Sequence, residues 1–171
     1  MIIYKCVITG DEMFSDIYKI KEIANGILFE VEGKVISRKL GEVDDSLIGG
    51  NASAEEASES LETATESGVD IIMNHKLQET SYDKKAYMSY IKEYMKAVTK
   101  EMTQTNPDRV EQFKKDVQPA VKMILERIKD FQFFSGESMN PEGTLGLLDY
   151  REDGITPYML FFKDGLLIEK C

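Results

Sequence analysis

Two helix-period stripes lie back to back in the middle of this chain, and they limit its fold more than any other feature. Apolar residues recur at Tyr87, Tyr90, Ile91, Tyr94, Met95, Val98 and Met102, then at Val110, Phe113, Val117, Val121, Ile124, Leu125 and Ile128. Steps of three and four put each set on one side of an α-helix, with one face to bury and one to wet. Asn106-Pro107 separates the stripes with a cap residue and a proline suited to a first helical turn. Two amphipathic helices joined by so short a turn make a helical hairpin over residues 82–130. Pro119 falls inside the second helix, where its missing N–H predicts a kink or a fresh helix start.

Strand-like segments flank the hairpin. MIIYKCVI (residues 1–8) predicts an opening strand, followed by a polar turn at Thr9-Gly10-Asp11. Residues 17–39 hold two or three short strands. Within them Leu28, Glu30 and Glu32 alternate with Phe29 and Val31, the mark of a sheet with one wet face, and Gly33 predicts a hairpin turn. Val69 to Met73 predicts another strand. GTLGLLDYRED, GITPYMLFFKDG and LLIEKC predict three more, with hairpin signals at Glu152-Asp153-Gly154 and Lys163-Asp164-Gly165. Strands, a helical hairpin and strands again give one α+β domain over 1–171. Its β core spans 1–40, 67–80 and 131–171, and the helices are inserted into mostly antiparallel strands.

Residues 41–66 have almost nothing to bury. No Lys or Arg occurs between Lys39 and Lys76, whereas Glu42, Asp44, Asp45, Glu55, Glu56, Glu59, Glu62 and Glu66 all do. Such a segment repels itself and predicts a long flexible acidic loop. The formal net charge of the chain is −10. Residues 82–130 hold 11 Lys/Arg and 8 Asp/Glu, a net of +3, so the remainder carries −13. An acidic body with a mildly basic arm excludes general nucleic-acid binding and adsorption to anionic membranes. It favours basic protein surfaces and divalent cations as partners.

Signals for catalysis are sparse. His75 is the one histidine; it reads as the end of a strand, with a structural or solvent-facing role. Cys6 reads as a small core hydrophobe within its strand. Cys171 reads as an exposed thiol that joins two otherwise monomeric chains by a disulfide under oxidising conditions. The sequence has no CxxC pair, no P-loop and no EF-hand spacing, which leaves no obligatory cofactor and no enzyme motif. Asp44 and Asp45 are candidates for weak calcium binding without a rigid cage. In Asp44-Asp45-Ser46-Leu47 an acid precedes a serine by two residues, the pattern that acid-directed kinases read through basic pockets. The apolar start is interrupted by Lys5 and no run reaches the roughly 18 residues of a membrane helix, so a cytoplasmic chain is expected. Asn51-Ala52-Ser53 is then only a formal glycosylation sequon.

IIYKCVITGDEMFSDIYKIKEI, LIGGNASAEE, GVDIIMNHKLQET, FFSGESMNPEG and LLDYREDGITPYMLFFKDGLLIEKC together resemble the translationally controlled tumour protein family over essentially the whole chain. The resemblance implies a β-tent core, a projecting helical hairpin and a flexible acidic loop. It implies a non-enzymatic cytoplasmic binding protein, also released from cells by a non-classical route. Partners so implied are Ras-family small GTPases, tubulin and microtubules, calcium and apoptosis regulators, with roles in growth control and survival.

Carried onto this sequence, Glu12 matches the acid implicated in GTPase contact and Glu137 is its companion. Such an acid meets the GTPase's phosphate-site lysine or competes with the nucleotide. Ser46 matches a phosphorylation site for a polo-like kinase. Lys92, Lys96 and Lys100, at i, i+4 and i+8, form a basic ridge suited to tubulin's acidic tails. Ile17 to Gly26 resembles a helical motif for apoptosis regulators, although its alternation reads as strand, so that binding mode requires refolding. Folds similar to this family include zinc-binding chaperones and methionine sulfoxide reductases, whose cysteines are missing here. The alternative reading is a calcium- or client-buffering chaperone acting through the acidic loop.

Overall fold

A computed structural model describes residues 1–39 and 65–170. The proposed loop sites Asp44, Asp45 and Ser46, the sequon at Asn51 and the thiol of Cys171 lie outside those residues. In chain order the elements are β1 (Ile2–Cys6), β2 (Glu12–Ser15), β3 (Lys19–Ile23), β4 (Leu28–Glu32), β5 (Val35–Lys39), β6 (Thr65–Val69) and the short helix α1 (Asp70–His75). There follow β7 (Gln78–Thr80), α2 (Lys84–Thr105), a 3₁₀ turn at Pro107–Arg109, α3 (Val110–Glu126), β8 (Gln132–Ser135), β9 (Gly146–Tyr150), β10 (Pro157–Phe162), a 3₁₀ turn at Lys163–Gly165 and β11 (Leu166–Lys170).

These strands form a three-stranded sheet in the order β11-β1-β2, a six-stranded sheet in the order β3-β4-β10-β9-β8-β7, and a separate β5-β6 ribbon. Every strand pairing among the described residues is antiparallel. The α+β class with an inserted hairpin is therefore the observed one.

The hydrophobic pattern sorts into two cores on opposite faces of the six-stranded sheet. Leu28, Phe133, Leu147, Tyr158, Leu160 and Phe162 face the hairpin, where Tyr87, Ile91, Tyr94, Val98, Phe113, Val117 and Ile124 cover them. Phe29, Val31, Phe134, Leu148, Met159 and Phe161 face the small sheet, packing on Cys6, Met13 and Phe14. All six residues of β10 are buried, and Tyr158 to Phe162 alternate between the cores, which is why its sequence reads as one apolar run. The expectation of one wet face fails at the centre of the sheet. It holds only at the end where half-buried Glu30 and Glu32 meet Arg151.

Both helical stripes are observed. Asp83 caps α2 by accepting a hydrogen bond from the Ala86 N–H (2.7 Å). The hairpin lies along the sheet, and its turn is anchored where Arg109 donates two hydrogen bonds to Asp164, at 3.0 and 3.2 Å. Pro119 neither ends nor restarts α3, which runs unbroken from Val110 to Glu126. Pro119 and Lys115, whose carbonyl loses its donor, both belong to exposed positions, where water substitutes.

Three strand expectations are corrected. Val69 to Met73 is not a strand, because only Val69 ends β6 and Asp70 begins α1. The helical turn puts Ile71 and His75, four residues apart, on one buried face. Gly33 is not a hairpin turn, since β4 pairs with β3 and β10 while β5 pairs with β6. It is a crossover, its N–H bound to the Pro157 carbonyl at 3.0 Å, and a Cβ there would press on Asp70. Lys163-Asp164-Gly165 is likewise a crossover between sheets, because β11 pairs with β1 and not with β10. Asp153-Gly154 does close a hairpin, between β9 and β10.

Candidate functional site

Glu12 and Glu137, 125 positions apart in sequence, come to one edge of the molecule, and α1 is what links them. Glu12 opens β2 beside a bulge in the β1–β2 ladder. Glu137 lies in the β8–β9 connection. That connection is drawn against the start of β2: the Ser138 hydroxyl donates to the Asp11 carboxylate at 2.5 Å, and a Cβ on Gly136 would collide with the same carboxylate. Here only glycine permits the approach. The Asp11 carbonyl in turn accepts from the Cys6 N–H at 2.8 Å, tying this turn into the small sheet.

The C-terminal end of α1 reaches both acids with consecutive residues. His75 Nδ1 lies 3.6 Å from Glu12 Oε2, and Lys76 Nζ lies 3.8 Å from Glu137 Oε1. Lys76 achieves this from the left-handed conformation (φ 54°, ψ 41°), a C-cap slot usually held by glycine or asparagine. Glu12, Glu137 and Lys76 are exposed, so the Lys76–Glu137 pair contributes little to stability. Asp11, Glu12 and Glu137 against Lys76 leave this edge acidic, with its charges on the surface.

His75 departs from its sequence reading. It ends a helix, not a strand, and it is 8 % exposed. Neither ring nitrogen makes a hydrogen bond among the described residues. The ring packs edge-on to Tyr18, whose hydroxyl accepts from the Asn74 side chain at 3.0 Å. Burial pushes the imidazole below its ordinary value, against the pull of Glu12 and then Asp70 upward.

Sequence reasoning missed the part played by His75 and Lys76. No local signal marks them, because α1 is short and its apolar run mimics a strand.

Cys6 is buried as expected but is more than a hydrophobe. Its Sγ accepts backbone N–H groups from Ile8 and Thr9, each at 3.4 Å, and from Thr144 at 3.2 Å. Burial alone would raise its thiol, yet the hydrogen bonds from Thr144 and Thr9 win and lower it. The sulfur is enclosed, and these contacts tie the β1 end to the Thr144 strand entry.

Lys92, Lys96 and Lys100 are exposed along α2, with Lys96 3.6 Å from Glu93. Grooves of about 560 and 550 Å³ flank this ridge, the first toward Tyr90 and Pro141, the second toward Phe113 and Lys114. The Ile17–Gly26 segment contains β3, paired along its length with β4, so strand is its observed state. No group of three or more His, Cys, Asp or Glu poised for a metal ion occurs among the described residues, and no described helix is long and apolar enough to cross a membrane.

A model of the family described as translationally controlled tumour protein matches residues 1–167. Relatives described as translationally-controlled tumor protein homologs are 68% identical in Labeo rohita and 66% in Danio rerio, each over 171 residues and the full length of both chains. Among solved structures, the translationally controlled tumor-associated protein of Schizosaccharomyces pombe is similar at 48% identity with a TM-score of 0.81, covering 100% of both chains. The Caenorhabditis elegans family member is similar at 35% identity with a TM-score of 0.68, covering 100% of this chain and 99% of that one.

Proposed function

The chain belongs to the translationally controlled tumour protein family, and from that premise we propose that it is a non-enzymatic binding protein whose acidic edge engages a Ras-family small GTPase. One observation carries the reading. Glu12 and Glu137 are brought to a single edge by the Asp11–Ser138 contact and by α1, whose His75 and Lys76 stand beside them. Exposed carboxylates on a rigid frame suit a cationic target, because little freedom is lost when they bind. A lysine of the GTPase's phosphate site, left without its anion once the nucleotide departs, is such a target.

The test is an amide NMR titration of the labelled protein with a nucleotide-free Ras-family GTPase. Shifts should cluster at Asp11, Glu12, His75, Lys76 and Glu137. Glu12→Gln should weaken binding about tenfold or more with an unchanged melting temperature, since Glu12 is exposed. A spectrum unmoved at saturating partner refutes the assignment.

A second reading concerns the arm. The exposed ridge of Lys92, Lys96 and Lys100 supports microtubule binding through acidic tails. Co-sedimentation should fall steeply with salt, as contacts between exposed charges are screened beyond about 10 Å at 0.1 M.

A further inference from the structure

A buried imidazole without a hydrogen bond needs an explanation. Buried polar groups are nearly always satisfied, and leaving one unpaired is costly. Both nitrogens of His75 are in this position, although a carboxylate stands 3.6 Å from Nδ1. That distance is too long for a hydrogen bond and short enough to become one by a rotation of the exposed Glu12 side chain. We infer that His75 is the positioning residue of the acidic edge: neutral, it leaves the Glu12 carboxylate free for a basic partner, and protonated, it draws that carboxylate onto Nδ1 and withdraws it from the partner.

The surroundings favour such a two-position contact. From β2, Glu12 is the charged group that faces the ring. From α1 itself, Asp70 adds a second negative charge. From the segment between β2 and β3, Tyr18 packs edge-on and brings no charge, its hydroxyl occupied by Asn74. From β6, Ser67, Gly68 and Val69 are uncharged. Lys76 is the nearest cation in sequence, and Glu137 holds it.

Desolvation opposes protonation and prevails over Glu12 and Asp70, so the contact forms below the ordinary imidazole range. Of the two carboxylates, Glu12 is the one beside the ring, so protonation of His75 withdraws it. This inference rests on the reading of Glu12 as a partner contact, and it adds the condition under which that contact is released.

Two measurements test it, and they fail separately. The chain has one histidine, so its imidazole signals titrate without overlap. In Glu12→Gln the His75 midpoint should fall clearly below that of the unmodified protein. An unchanged midpoint overturns the coupling whatever any partner does.

The second measurement is the affinity for a nucleotide-free Ras-family GTPase at about pH 7.5 and about pH 5.5, for the unmodified protein and for His75→Asn, which keeps a polar amide near Nδ1 and cannot titrate. Acid should weaken the unmodified protein about two- to fivefold more than the variant, the range set by a half-exposed ion pair. Equal weakening of both proteins overturns the inference. Absence of binding at either pH, with the imidazole midpoint still sensitive to Glu12, refutes the GTPase reading and with it the release step.

Discussion

Arg109→Ala should untie the turn of the helical hairpin. Arg109 donates from Nε and Nη2 to the two oxygens of Asp164, at 3.0 and 3.2 Å, so the pair is bidentate. Its environment sets the magnitude. The Asp164 side chain is 10% exposed and that of Arg109 26%. A solvent-exposed pair contributes about 0.2–1 kcal/mol, whereas breaking a fully buried one costs about 3–5 kcal/mol. This pair lies between, and truncating the arginine strands a largely desolvated carboxylate, for a loss of about 1.5–3 kcal/mol. For a chain of this size each kcal/mol lowers the melting temperature by about 2–4 °C, so a fall of about 3–12 °C is expected.

Asp164→Ala should cost less, because the freed guanidinium can turn into water. A double-mutant cycle should give a coupling of about 1–2 kcal/mol. Hydrogen exchange should quicken at the amides on either side of Pro107–Arg109 and not in β9 or β10. A loss below about 0.5 kcal/mol, with exchange at the turn unchanged, refutes the claim that this pair fastens the arm to the β10–β11 crossover.

Gly165→Ala should destabilise by about 1–3 kcal/mol, since its Cβ would overlap the Tyr94 hydroxyl, which is hydrogen-bonded to Thr144 at 2.9 Å. Tyr94→Phe should recover part of that loss, and an additive double mutant would show that the clash lies elsewhere. Lys92→Glu/Lys96→Glu/Lys100→Glu should abolish salt-sensitive microtubule pelleting while the urea midpoint moves little, because all three are exposed; undiminished pelleting removes the ridge from the account.

His75 is held below its ordinary value by burial, so the folded chain binds fewer protons than the unfolded one. Its contribution to stability is full above about pH 6.5 and is lost as pH falls toward the lower folded value. The urea midpoint of His75→Asn should therefore vary less across that window than that of the unmodified protein, and parallel curves would contradict the sign.

The helical stripes were legible because each is a local pattern: Tyr87 to Met102 and Val110 to Ile124 repeat at the helical period whatever they pack on. The crossovers were not. Gly33 and Lys163-Asp164-Gly165 carry sound hairpin chemistry, yet each sends the chain to a different sheet. A turn signal shows that the chain bends and does not show which strand it meets next. Asp70–His75 failed for a related reason, since six residues rich in isoleucine fit either period.

The sequence by itself determined the element types of the hairpin and the division between an acidic body and a basic arm. These follow from side-chain spacing and charge, which belong to the chain before it folds. Tertiary structure alone decided that Asp11, Glu12, His75, Lys76, Glu137 and Ser138 share one edge. Their meeting depends on a bulge beside Glu12, a left-handed cap at Lys76 and a glycine at 136 that lets two loops touch. Long-range approach of this kind is set by how three separate elements pack, and no periodicity within any one of them encodes it.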